Sequence, residues 1–345
     1  MAISKSGHPD RRGFNTSIYA SLFLTGSAAI TPFFLHWGIA LAQFLVGAIF
    51  FIATEAISAP PANEARAYQR FRRHNLSSSR SPVLVCLGDS LTHGTASHSY
   101  TVDIPTQLAS TLAMQPPRST SIFADPLWVV NCGQNYITTH TIWRERLNKA
   151  LDCHPDYILV LIGTNDVRAM YKKSWGAEVK RINDLPEIPT LATFTRNFHG
   201  ILSHIQQASP MTQVGVCTLP PLGENVKSNA NKLVRQVNDV IIQAAEQAGD
   251  KFTIIPLFDR FETILEKEGK RTDLLSISPL LVASMSVTYQ LVPGMIKRNT
   301  LGKMVGHKLL FDGIHLNERA SAELVDLIVE WLVTKGIAKA IAVKS

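Results

Sequence analysis

The chain has 345 residues, 46% of them hydrophobic and 18% charged, with a formal net charge of +7. That is apolar material enough for a sizeable core, which excludes a wholly disordered chain. No basic stripe interleaved with aromatics runs through the main domain, so nucleic acid is not an expected partner.

The first 57 residues set the chain apart. From Gly13 to Thr54 there is no Asp, Glu, Lys or Arg. A bilayer core needs about 20 apolar residues as a helix. Trp37 to Ile57 is the stronger candidate span, and Ser17 to Leu35, with Pro32 near its end, the weaker. Residues 1–57 are therefore read as an N-terminal region with one transmembrane helix or a hairpin of two. A cleaved signal peptide and a buried helix pair are the rival readings; a signal's apolar region of about 7–15 residues is shorter and begins earlier. Lys5, Arg11 and Arg12 precede the stretch, and Arg66, Arg70, Arg72, Arg73 and Arg80 follow it. Positive flanks stay cytoplasmic. A hairpin would thus leave the rest of the chain in the cytoplasm, while a single span leaves the side of the membrane open.

Ala59-Pro60-Pro61-Ala62 breaks any helix. Residues 58–81 read as a polar, Arg- and Ser-rich linker, and the domain is expected over 82–345. Five short apolar runs follow: Val83–Leu87, Trp128–Val130, Tyr157–Ile162, Val214–Leu219 and Phe252–Leu257. Continuous runs of this length suit strands buried on both faces. Helical patterns cover Thr139–Leu151, Leu191–Ala208, Val226–Ala248 and Asn317–Val333. The alternation predicts an α/β fold with a central parallel sheet. Residues 274–305 break it and read as an inserted helix pair, or as a lid before the last loop. Cys86, Cys132, Cys153 and Cys217 form no CxxC pair. They read as buried free thiols rather than as disulfides or zinc ligands.

Polar motifs sit at or near the carboxyl ends of these runs, where open parallel sheets bind ligands. They are Gly88-Asp89-Ser90, Gly133, Gly163-Thr164-Asn165-Asp166 and Asp312-Gly313-Ile314-His315. A serine hydroxyl needs a base to become a nucleophile. His315 can take the Ser90 proton, and Asp312 can hold the other ring nitrogen. Gly133 and Asn165, with the Ser90 N–H, can offer hydrogen bonds to an oxyanion. Each motif also has an ordinary reading. Ser90 could be a helix N-cap. Asp312 and His315 could cap the helix expected from Asn317. Gly133 and Asn165 could be turn residues.

Taken together, Gly88-Asp89-Ser90-Leu91, Gly133, Gly163-Thr164-Asn165-Asp166 and Asp312-Gly313-Ile314-His315 resemble the four blocks of the SGNH hydrolases, or GDSL esterases. The resemblance covers roughly residues 82–334. It implies a flavodoxin-like three-layer α/β/α sandwich and a serine-dependent esterase or lipase-like hydrolase. The implied catalytic residues are Ser90, Asp312 and His315, and the implied oxyanion donors Ser90, Gly133 and Asn165. No cofactor and no metal is implied, and the substrate would be a small-molecule, lipid or carbohydrate ester. In the second block a further glycine commonly follows the first; here Asn135-Tyr136 stand there. An acyltransferase using the same acyl-enzyme, and a non-catalytic membrane-anchored binding module, are the alternatives.

Overall fold

The apolar runs pair into one parallel sheet: β1 (Val83–Gly88), β2 (Trp128–Gly133), β3 (Tyr157–Leu161), β4 (Gln213–Cys217) and β5 (Phe252–Ile255). The computed structural model describes residues 60–74, 81–94, 99–114, 123, 126–268, 300, 302–303 and 306–344. The spans expected within residues 1–57 lie outside the described residues, as does nearly all of the insertion expected over 274–305. Among the described residues no helix is long and apolar enough to cross a membrane.

The strand order is β2-β1-β3-β4-β5. β1 is central, running beside β2 from Val83↔Trp128 to Gly88↔Gly133 and beside β3 from Leu84↔Tyr157 to Gly88↔Leu161. Every residue of β1 and β3 is buried. These strands lack polar alternation because helices cover both sheet faces. Parallel crossovers are right-handed, so the direction of travel decides the face. The step from β1 out to β2 carries helix Tyr100–Thr111 on one side. The steps back across to β3, β4 and β5 carry Leu147–Leu151, Leu191–Ala208 and Asn229–Ala248 on the other. Helix Glu318–Thr334 joins the first side, packing on Tyr100–Thr111 and β5. The result is a three-layer α/β/α sandwich. Travel reverses between β1 and β3, and this order opens a crevice at their carboxyl ends.

Several elements differ from the sequence pattern. The helix expected over 139–151 holds a π segment at Ile142–Arg146, which 3.6-residue periodicity cannot reveal. The helix expected from Val226 begins at Asn229, because the Ser228 hydroxyl accepts the Asn231 N–H at 3.2 Å and caps it there. All four cysteines are free.

The linker expected over 58–81 is the main correction. It contains helix Ala65–His74. Ahead of it, Asn63 O accepts the Asn131 N–H at 2.9 Å, and Asn63 Nδ2 donates to Val129 O at 3.1 Å. These bonds cover part of the open edge of β2, which would otherwise be a template for association. Tyr68 and Phe71 then clamp the helix: Phe71 lies 5.1 Å from the rings of both Phe123 and Trp128. The arginines mask this apolar face in the sequence. Phe71→Ala should lower unfolding free energy by about 3 kcal/mol, measured by urea denaturation. An unchanged midpoint would mean that the helix is not part of the folding unit.

Candidate active site

β1 ends in a glycine that nothing larger could replace. A Cβ on Gly88 would fall 2.2 Å from Thr92 Oγ1 and 2.3 Å from Leu161 O. The chain turns at once into the single helical turn Ser90–His93, which Gly94 ends at φ +86°. Asp89 is the N-cap, its Oδ1 accepting the Leu91 N–H at 3.0 Å. Ser90 therefore stands at the first helical position, and its hydroxyl is not spent on capping. Asn131, at the end of β2, pins this turn: its Nδ2 donates to Thr92 O at 2.7 Å.

The partner loop is built from the other end of the chain. Asn317, not Asp312 or His315, caps the last long helix, accepting the Ala320 N–H at 3.0 Å. Asp312 Oδ1 accepts the N–H groups of His315 at 2.8 Å and Ile314 at 3.0 Å. Its Oδ2 lies 2.7 Å from His315 Nδ1. A carboxylate only accepts, so Nδ1 carries the ring proton. Nε2 is left to accept from Ser90 Oγ, 3.0 Å away. Burial pushes the Asp312 carboxyl up, but the charge and hydrogen bonds of His315 and the Ile314 N–H outweigh it and hold it below the usual carboxylate range.

The loop itself hangs on Glu224, a residue that the sequence did not single out. Its buried Oε1 accepts the N–H groups of Lys308, Leu309 and Leu310 at 2.9, 2.7 and 2.8 Å, and its Oε2 accepts Lys308 N–H at 2.7 Å. Glu224 lies in the loop after β4, which is stitched by two buried asparagines. Asn231 holds Leu222 by its N–H and carbonyl, at 2.8 and 3.0 Å. Asn238 holds Leu219 in the same way, at 2.7 and 3.1 Å. A signal for the asparagines exists in the sequence. They fall in register with Val234 and Ile241 on the apolar stripe of Asn229–Ala248, where a polar residue needs a reason. Nothing local marks Glu224.

Gly133 and Asn165 flank the serine turn. The Gly133 N–H donates to Asn131 Oδ1 at 2.9 Å. A Cβ there would fall 2.3 Å from His93 N, so close packing by itself requires this glycine. Asn165 lies in the first turn of helix Thr164–Tyr171. Its Nδ2 donates to Ile137 O at 3.0 Å, and its Oδ1 accepts from Arg168 Nη1 at 3.2 Å. These two bonds fix the amide orientation, and Nδ2 has a second hydrogen to offer. Tyr136 sits beside this group in the left-handed region, at φ +64°. Ala113, His154 and Asp184 share that region at the ends of helices, so the conformation by itself does not mark a site.

Two further acids lie beneath. Burial pushes Asp89 up to about 6, against the pull of the Leu91 N–H and of His315. Burial pushes Asp166 up to about 7, although Thr139 donates both its N–H and its hydroxyl to it. Asp166 thereby ties the loop after β2 to the loop after β3. A cavity of about 470 Å³ lies away from these groups, lined by Arg72, Arg73, His154 and Asp156 among others; Asp156 binds Val83 N, at the opening of β1.

A family model described as GDSL-like Lipase/Acylhydrolase family matches residues 86–277. No curated protein sequence matches the chain. Among solved structures, a catalytic mutant of the acetylxylan esterase Axe2 from Geobacillus stearothermophilus is similar at 15% identity and a TM-score of 0.48, over 73% of this chain and 95% of that one. LAE5, an alpha/beta hydrolase from the metagenome of Lake Arreo in Spain, is similar at 15% and 0.48, over 75% and 97%. The acetyl xylan esterase AlAXEase is similar at 14% and 0.48, over 72% and 99%.

Two measurements probe this architecture. Glu224→Gln replaces an oxygen with an amide that faces a backbone N–H. It should cut kcat by roughly tenfold to a hundredfold through misplacement of His315, with KM little changed. Equal loss in KM alone would sink the positioning role. Asp166 has a folded-state pKa raised above its unfolded value, so its stabilisation is complete below about pH 4 and fades as pH rises through about 7. Stability in urea should therefore fall between about pH 4 and 7 and level off above, and Asp166→Asn should flatten that slope. An unchanged slope would show that Asp166 does not hold its proton in the fold.

Proposed function

Because the chain belongs to the GDSL-like lipase/acylhydrolase family, we propose that it hydrolyses carboxylic esters through an acyl-enzyme on Ser90. The relay of Ser90 Oγ, His315 Nε2, His315 Nδ1 and Asp312 Oδ2, at 3.0 and 2.7 Å, carries this reading.

The steps follow from the proton positions. Ser90 Oγ attacks the ester carbonyl carbon while its proton passes to His315 Nε2. The carbonyl π electrons move onto oxygen, and the Ser90 N–H and the second hydrogen of Asn165 Nδ2 donate to that oxyanion. Gly133 joins them once its N–H leaves Asn131 Oδ1. Arg168 polarises the Asn165 amide and keeps its donor side in place. The intermediate expels the alcohol, which takes the proton from Nε2. Water then attacks the acyl-enzyme, gives its proton to Nε2, and releases the acid as Ser90 Oγ recovers that proton. Asp312 stays ionised throughout and stabilises the imidazolium that forms twice.

The charge-free stretch from Gly13 to Thr54 supports a second part of the reading: a membrane tether ahead of the domain. A tethered hydrolase meets acyl-chain esters in the bilayer, which favours lipid-like substrates over acetylated carbohydrate.

Aryl esters graded from acetyl to long acyl test both parts. Ser90→Ala should abolish turnover, and His315→Ala should lower it by several orders of magnitude, because triad members act as a unit. A fluorophosphonate probe should label Ser90. Turnover that survives Ser90→Ala would remove the mechanism, and a profile confined to acetyl esters would remove the lipid-like substrate.

A further inference from the structure

Helix Ala65–His74 is held by one face and shows another to its surroundings. Tyr68 is buried, and Arg72 lies over the Trp128 ring at 5.5 Å. Arg66, Arg70 and Arg73 are exposed. Spaced by four and three residues, they fall on one side of the helix, whose sequence contains no acidic residue. Glu64 bridges to Asn131 near the carboxyl end of β2, and Arg72 reaches Trp128 at its amino end. The arginine side therefore runs alongside the whole edge strand, fixed there by the aromatic clamp.

A row of exposed guanidinium groups on a helix held in place by its other face fits a surface that carries many negative charges. The sequence indicates which surface. Only residues 55–59 separate the charge-free stretch from Pro60, at most roughly 18 Å of extended chain. Basic residues this close to a membrane segment meet the anionic headgroups of its surface.

We propose that the Arg66, Arg70 and Arg73 face docks on an anionic phospholipid surface and lays the edge of the sheet against the bilayer. The proposal rests on the tether reading, yet the two are separable. The tether predicts binding to any bilayer, and the arginine face predicts an added dependence on anionic lipid.

The test is flotation of the full chain with phosphatidylcholine vesicles, with and without phosphatidylserine, comparing it with the R66Q/R70Q/R73Q variant. Hydrolysis of a soluble aryl ester checks that the variant is folded. The anionic vesicles should bind the unaltered chain more tightly than the neutral ones. The triple variant should lose roughly tenfold to a hundredfold of that partitioning, and high salt should erase the difference. Equal binding of the unaltered chain to both vesicles overturns the proposal and leaves the tether standing. So does an anionic preference that survives the triple variant. Arginine-dependent binding to anionic vesicles with none to neutral ones supports the proposal and removes the tether.

Discussion

The 3.0 Å contact between Ser90 Oγ and His315 Nε2 joins residues 225 apart in the chain. Neither residue holds the other in place. Ser90 is fixed by the end of a central strand, and His315 by a loop whose own support, Glu224, comes from the loop after β4. A hydroxyl and an imidazole separated by one more ångström exchange no proton, so the site depends on how stiffly those two supports are built.

The stiffness comes from buried polar groups rather than from apolar packing alone. Packing sets the strand ends to within a methyl group, but side-chain direction needs hydrogen bonds. Asn131 binds the serine turn, Asp166 binds the loop after β2, and Asn231 and Asn238 bind the loop that carries Glu224. Glu224 then gathers consecutive N–H groups of the loop ahead of Asp312. Each polar group is costly to bury and is tolerated because partners surround it. Removing one partner leaves a buried group exposed to that cost, and so the network tends to hold or fail as a unit.

The acids show how environment divides similar side chains. Asp312, Asp89 and Asp166 all lie buried near the crevice. Asp312 faces an imidazole and two N–H groups and remains a carboxylate. Asp89 and Asp166 have no imidazole hydrogen-bonded to them, and burial pushes both toward neutral pH. This division keeps one negative charge against the His315 ring and reduces the charge beneath Ser90.

The sheet, the long helices and the candidates Ser90, Asp312 and His315, which the structure joins in one hydrogen-bonded chain, were legible in the sequence. Strands buried on both faces must be continuous apolar runs, and a nucleophile, base and orienting acid admit few residue types. Asp312 and His315 were legible because they share one short loop. The fold of residues 60–74 was not, because arginines around Tyr68 and Phe71 resemble a solvated linker until Phe123 and Trp128 are placed beside them. Glu224 was equally hidden, since a lone glutamate acquires its meaning only from backbone groups 84 to 86 residues away. The neighbouring Asp89 takes the cap, and tertiary structure decided what the Ser90 hydroxyl then meets. Local pattern records what a residue buries, and it carries no record of which distant groups that burial brings within hydrogen-bonding reach.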